Sequence, residues 1–246
     1  MYPDLAGKRV VVTGGASGIG FATALRFVQE GSRVAIFDLD RVALERVRLE
    51  LPAVELLVGT DVSDPLSVAS AFDEVDSSLG GIDILISNAG ISVRNSFADI
   101  TFEQWEKVLR VNLAGMFLCA REASGRMRSG GVILMTASTN GMEGHPYYAD
   151  YNASKAGVIL LAKTMALEFA PLVRVNSVSP GYVLTPMQKA EYTPEMLDKV
   201  NEKIPIRRHA DPSEVAALFA FLASGQASYI TGANIPIDGG ETAGLQ

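Results

Sequence analysis

Seven short runs rich in Val, Ile and Leu recur along the chain, at 8–13, 33–37, 54–58, 82–87, 131–136, 172–178 and 234–237. They are nearly continuously apolar rather than alternating, which is the pattern of strands covered on both faces. Between them the apolar positions fall three or four apart. Phe21, Leu25, Phe27 and Val28 follow the first run in this way, and Ser63-Asp64-Pro65 opens a helix through Leu79 with a cap and a first-turn proline. Thr101 and Glu103 open a stripe carrying Trp105, Val108, Leu109, Val111, Leu113, Met116, Phe117 and Leu118, and an Ala-rich helical segment runs past Lys163 and Met165. Strands alternating with helices predict an α/β fold, a doubly wound parallel sheet of about seven strands with helices on both faces.

Polar and glycine-rich clusters sit where the runs end, the edge at which open α/β sheets collect ligands. The first run leads into Gly14-Gly15-Ala16-Ser17-Gly18-Ile19-Gly20 and then a helix. Glycines permit a tight turn and close approach of backbone to a ligand, and a helix start offers free N–H groups to a pyrophosphate. The spacing Gly14-xxx-Gly18-x-Gly20 is longer than GxGxxG, and a plain structural turn is the competing reading. Asp38 ends the second run, 18 residues after Gly20. A carboxylate there accepts from both ribose hydroxyls of an adenosine and repels a 2′-phosphate, which points to NAD rather than NADP, although the nearby Arg41 tolerates phosphate charge. Asp61-Val62 follows the third run, Asn88-Ala89-Gly90 the fourth, Ser138 the fifth, Ser179-Pro180-Gly181 the sixth and Asp238-Gly239-Gly240 the seventh.

On a helix, Tyr151 and Lys155 share a face, four residues apart. A cation held beside a phenol lowers its pKa from about 10, so the pair can act as general acid and base; surface neighbours are the bland alternative. Asn112 is an amide inside an apolar stripe, where it must be hydrogen-bonded, and it either braces backbone or orders a water.

One domain over 1–246 suffices, with a cofactor half of about 1–130 and a catalytic and substrate half of about 131–246. No repeat or linker interrupts it. Residues 182–208, interrupted by Pro186, Pro194 and Pro205, read as a lid or as an ordinary helical excursion. A formal net charge of −7 and a pI near 4.9 argue against nucleic-acid and anionic-membrane partners and for a small molecule. The lone Cys119 excludes an internal disulfide and reads as core. The first residues lack a signal pattern and no apolar run is long enough for a membrane span, so a cytoplasmic protein is expected.

Together these residues resemble the short-chain dehydrogenase/reductase family over nearly the whole chain, from about Leu5 to Gly240. Thr13-Gly14-xxx-Gly18-Ile19-Gly20 is similar to its cofactor loop, Asp61-Val62 to its adenine contact and Asn88-Ala89-Gly90 to its fourth-strand motif. Asn112, Ser138, Tyr151 and Lys155 match its Asn-Ser-Tyr-Lys tetrad, and Pro180-Gly181 with Val183 and Thr185 its nicotinamide-side segment. The resemblance implies a Rossmann-type fold and NAD-dependent hydride transfer to or from a secondary alcohol or ketone. In it Tyr151 is the acid/base, Lys155 supports the phenolate and holds the nicotinamide ribose, Ser138 donates to the substrate oxygen, and Asn112 holds a water. The cofactor set it implies is Gly14, Ser17, Gly18, Ile19, Gly20, Asp38, Leu39, Asp61, Val62, Asn88, Ala89, Gly90, Tyr151, Lys155, Pro180, Gly181, Val183 and Thr185, with no metal. Tyr147 and Tyr148 lack a lysine four residues on and read as pocket or packing residues.

Loop position makes Arg94, Ser138, Asn140, Met142, Glu143, His145, Tyr148, Tyr182 and Met187 candidates for the substrate pocket. Arg94 reads as a solvated side chain or as a partner for a substrate carboxylate, His145 as pocket wall and His209 as surface. The substrate reading stays open among a polyol or sugar derivative, a hydroxy acid and an apolar ketone. Two rival functions share the sheet: a catalytically silent nucleotide-binding sensor or scaffold, and a nucleoside-cofactor enzyme such as a methyltransferase. Family members pair the helices carrying Asn112 and Tyr151 between subunits, so a homotetramer is expected.

Overall fold

A computed structural model describes residues 1–244; Leu245 and Gln246, the end of the expected 1–246 domain, lie outside the described residues. Its strands are β1 (Arg9–Thr13), β2 (Arg33–Asp38), β3 (Leu56–Gly59), β4 (Ile82–Ser87), β5 (Met127–Thr136), β6 (Val173–Pro180) and β7 (Asn234–Ile237). They form one parallel sheet in the order β3-β2-β1-β4-β5-β6-β7. The helices are α1 (Gly18–Gln29), α2 (Arg41–Glu50), α3 (Pro65–Leu79), α4 (Phe102–Leu109), α5 (Gly115–Arg126), α6 (Ala149–Phe169), α7 (Pro186–Glu191), α8 (Pro194–Lys203) and α9 (Pro212–Ala223).

Successive side chains of a strand point to opposite faces, and two cores follow from that. Val11, Phe37, Leu85, Ile133 and Val175 pack with Phe72 of α3, Met116 and Cys119 of α5 and Val158 and Met165 of α6. Val10, Val12, Ile36, Ile84, Leu134 and Val178 pack on the other face with Phe27 of α1, Val47 of α2 and Phe219 of α9. Local chemistry fixes the helix starts: Asp40 caps α2, Asp64 with Pro65 starts α3, and Thr101 forms a capping box with Gln104 at α4.

Three strands depart from the hydrophobic pattern by two residues or more at one end. The third strand starts at Leu56, because pairing with Ala35 begins there, and it runs on to Gly59. The fifth starts earlier, at Met127, where a register shift against β4 accommodates the extra residues. The sixth absorbs Ser179 and Pro180, which pair with Pro236 and Ile237. The long Asn112 stripe is a helix broken by a π-turn, Arg110–Ala114, in which Gly115 N–H donates to the Arg110 carbonyl. Among the described residues no helix is long and apolar enough to cross a membrane.

Candidate active site

Strand order reverses between β1 and β4, and the loops leaving their carboxyl ends open a crevice. Asn88 fastens it: its backbone N–H donates to Thr13 Oγ1 at 2.9 Å and its Nδ2 donates to the Thr13 and Gly14 carbonyls, while Thr136 donates to its Oδ1 at 3.0 Å. Three strands therefore meet at one amide. Gly14 holds a φ of 62°, and a Cβ there would stand 2.8 Å from Ala89 Cα; a Cβ on Gly20 would stand 2.0 Å from the Gly14 carbonyl oxygen. Only glycine fits either position.

A cleft of about 400 Å³ runs along this edge, lined by Gly14, Ser17, Gly18, Ile19, Asp38, Leu39, Asp61, Val62, Asn88, Ala89, Gly90, Tyr151, Lys155, Thr185 and Met187. Phe37, Thr60, Ile91, Lys107, Val111 and Thr136 also line it. Four expected cofactor residues do not. Gly20 is packed on the Gly14 carbonyl, Pro180 is buried inside β6, Val183 is buried and bridged to Ala210, and Gly181 faces a neighbouring cavity. At the cleft's end Asp38 accepts from Ala16 N–H at 3.0 Å and from Asp40 N–H at 3.1 Å, one bond on each oxygen, which leaves lone pairs for a ligand hydroxyl. Exposed, apolar Leu39 lies beside it, and Arg41 lies against Gly59, close to the same end. These residues fit a dinucleotide: bare glycine backbone in the middle, a carboxylate at one end and a cationic side chain at the other.

The second cavity, about 80 Å³, is lined by Ser138, Asn140, His145, Tyr148, Tyr151, Gly181, Tyr182 and Met187. Tyr151 lines both spaces, on the first turn of α6. Lys155, one turn on, is 2 % exposed, donates to the Thr136 carbonyl at 2.7 Å and sits 5.5 Å from the Tyr151 ring centroid. Ser138 accepts from Asn140 N–H at 3.2 Å as β5 ends. Burial pushes the Lys155 ammonium down to about 7 and the Tyr151 hydroxyl up to about 12, with the Ser138 hydroxyl opposing the latter. The lowered phenol expected from a lysine neighbour is therefore not found in the protein alone, because desolvation dominates and only the Ser138 hydrogen bond opposes it.

Asn112 is fully buried. Its Oδ1 accepts from Ile91 N–H at 2.8 Å, and its Nδ2 donates to the Ile91 carbonyl at 2.9 Å and to Ser154 Oγ at 3.2 Å. Of its two expected uses the structure displays the brace, clamping the loop after β4 to α6. The π-turn delivers the amide to that place. A Cβ on Gly90 would stand 3.3 Å from its Oδ1 and 3.6 Å from Lys155 Nζ, so a side chain at 90 would crowd the space beside them.

The remaining candidates separate. Arg94 is exposed, stacks over the Tyr147 ring at 4.3 Å and borders an outer cavity of about 380 Å³ that shares His145, Tyr148 and Tyr182 with the inner one. Met142 and Glu143 are exposed and line neither space. His209 is not on the surface: it is 9 % exposed, its Nδ1 lies 2.7 Å from Asn201 Oδ1 and its ring meets Tyr182 edge-on. Sequence reasoning missed Gln188, Glu191 and Tyr192, which line the inner cavity from α7 and just beyond it. Their one signal was membership of the proline-bounded segment 182–208.

A family model described as enoyl-(acyl carrier protein) reductase matches residues 14–242. The meso-2,3-butanediol dehydrogenase of Serratia marcescens is 41% identical over 239 residues, 96% of this chain and 95% of that protein. An NADP-dependent (R)-specific alcohol dehydrogenase of Lentilactobacillus kefiri is 36% identical, over 99% of this chain and 100% of its own length. A short-chain type dehydrogenase/reductase from Mycobacterium marinum has a solved structure that superposes with a TM-score of 0.92 at 37% identity, covering 98% of each chain. The chain belongs to the short-chain dehydrogenase/reductase family, and with it to the oxidoreductases.

Proposed function

We propose that the protein is a NAD-dependent dehydrogenase/reductase acting on a secondary alcohol or the matching ketone, with Tyr151 as general acid and base. The observation that carries this reading is the position of Tyr151 on the wall common to the long cleft and the inner cavity, with Lys155 buried behind it and Ser138 across the same small space. When bound, the cofactor supplies or takes up the hydride at nicotinamide C4.

The backbone at Gly14 and Gly18 and the start of α1 would hold the pyrophosphate, Asp38 the adenosine ribose, Asp61 and Val62 the adenine, and Asn88 to Gly90 with Thr185 the nicotinamide half. Gly20 acts by letting the turn close, and Pro180, Gly181 and Val183 by supporting Thr185. In the reduction direction Tyr151 gives its proton to the carbonyl oxygen while Ser138 donates a hydrogen bond to the charge growing there. In oxidation Tyr151 takes the hydroxyl proton, and a charged Lys155 stabilises the phenolate. Asn112 holds the floor of the site rigid. Asp38 favours NAD by repelling a 2′-phosphate, and because a relative similar over the whole chain is NADP-dependent, this reading rests on that side chain rather than on the fold.

The chain forms a single domain, its segment 182–208 acts as a lid, and its compartment is the cytoplasm. Exposed Phe102, Phe117 and Leu160, with Trp105, Leu109, Leu113 and Leu161 in one groove, support a homotetramer paired through α4, α5 and α6. Tyr151→Phe tests the chemistry: NADH binding is kept and turnover falls by about 10² or more. Near-normal turnover of a secondary alcohol in that variant sinks the assignment.

A further inference from the structure

We propose that the inner cavity contains a subsite for a second substrate oxygen, so that the substrate is a neutral diol or the matching hydroxyketone rather than a simple mono-alcohol. This rests on the reading of Tyr151 as the acid/base of a dehydrogenase. Three side chains lining that cavity each keep a buried polar atom without a hydrogen-bond partner: His145 Nε2, Gln188 Nε2 and Glu191 Oε1. Buried polar atoms are normally satisfied, and three unpartnered ones carried by side chains that line the cavity shared with Tyr151 point to a ligand that satisfies them when that cavity is filled.

The geometry specifies its chemistry. Tyr148 donates to Glu191 Oε2 at 2.8 Å, which orients the carboxylate and leaves its other oxygen as an acceptor. The Tyr148 ring packs edge-on to Tyr151, centroids 6.3 Å apart, so the Glu191 carboxylate is held one ring away from the acid/base. Gln188 is three residues earlier on the same short helix and supplies a donor. Burial pushes His145 below its ordinary value, so its imidazole is neutral at pH 7 and serves as donor or acceptor. A hydroxyl is both donor and acceptor and satisfies this set; an alkyl group satisfies none of it.

A substrate carboxylate would meet the Glu191 oxygen instead, and the cations bordering the outer cavity, Arg94, Lys199 and Lys203, do not line the inner one. The hydroxy-acid reading therefore falls away. So does the apolar ketone, which would leave the polar atoms buried and unpaired, the condition under which hydrogen-bonding sites discriminate most strongly.

The test compares kcat/KM for 2,3-butanediol and 2-butanol, with NAD, in the full-length enzyme and in the variants Gln188→Leu and Glu191→Leu. The expected ratio in the unaltered enzyme favours the diol by a factor on the order of 10² or more, and each variant brings that ratio toward one. Gln188→Leu leaves the Tyr148–Glu191 hydrogen bond alone, so its effect is not that of a loosened lid. A ratio near one in the unaltered enzyme, a ratio that neither variant moves, or turnover of neither alcohol by protein that binds NADH overturns the subsite. Diol turnover that survives Tyr151→Phe overturns the acid/base reading instead, whatever the ratio.

Discussion

Lys155 gives the structure's most direct physical test. Its ammonium is buried and, among the described residues, has one acceptor, the Thr136 carbonyl; burial brings it from 10.5 to about 7. At about 1.36 kcal/mol per decade, that drop corresponds to about 5 kcal/mol of destabilisation whenever the group is protonated in both folded and unfolded chains. The sign follows from proton counting. Below pH 7 both states carry the charge and the full cost is present. Between 7 and 10.5 the unfolded chain binds the extra proton, so stability rises with pH; above 10.5 neither state is charged and the cost is gone.

Lys155→Met keeps the stem and removes the charge. The variant is then more stable than the parent by about 5 kcal/mol at pH 6 and about 2 kcal/mol at pH 9, less a pH-independent penalty of about 1–3 kcal/mol for the unpaired Thr136 carbonyl. The penalty cancels when the two pH values are compared, which leaves a change of about 3 kcal/mol between them. Equilibrium urea unfolding of both proteins without cofactor, at pH 6, 7.5 and 9, measures it. Tyr151, held at about 12, does not titrate in this window, and other groups are common to both proteins. A stability difference that changes by less than about 1 kcal/mol across that range refutes a lysine whose charge is opposed by burial.

Three further outcomes follow from single contacts. Asp38→Ala lowers the ratio of kcat/KM for NAD over NADP by about tenfold or more, the scale of one removed like-charge contact; an unchanged ratio shows that Asp38 does not read the ribose. Asn112→Ala removes three hydrogen bonds from a fully buried amide and costs about 2–4 kcal/mol in urea unfolding, a loss under about 1 kcal/mol being incompatible with a brace. Cys119, 1 % exposed and with its thiol pushed up to about 12, reacts with an aromatic disulfide reagent at pH 8 only as fast as the protein unfolds, and prompt labelling of native protein would contradict its burial.

What could be read from the sequence and what could not divide along physical lines. Apolar runs placed all seven strands because a strand buried on both faces has little freedom in composition, and the residues at strand ends followed from the same count. Asp38, Ser138, Tyr151 and Lys155 could be placed at the cleft and inner cavity because each combines a polar group with a position fixed by a strand end or a helical turn. The π-turn was invisible, since one extra residue in a helical stripe leaves the apolar spacing nearly intact while rotating Asn112 inward. His209 was misplaced because its burial depends on Tyr182 and Asn201, neighbours that only tertiary packing supplies. Gln188 and Glu191 were missed for the same reason: Glu191 takes its weight from Tyr148, 43 residues away, and Gln188 from the cavity it shares with them.

The disagreement over Tyr151 bears on direction. A lysine four residues on reads as a device for making a phenolate, yet burial disfavours charge on both groups, and each is driven toward its neutral form. Phenolate with ammonium is the charged arrangement in which each charge would offset the other. With Lys155 near 7 it is about half protonated at neutral pH, while Tyr151 retains its proton almost completely. In the proposed reaction, reduction would then start with the acid already loaded and Ser138 meeting the growing oxyanion, and oxidation would need Lys155 to hold its proton while Tyr151 loses its own. On that proposal, the same burial that makes Lys155 costly to the fold also makes it responsive: a value near 7 lets a small change in the charge around it alter its protonation at neutral pH, which a solvated lysine at the same spacing would not allow.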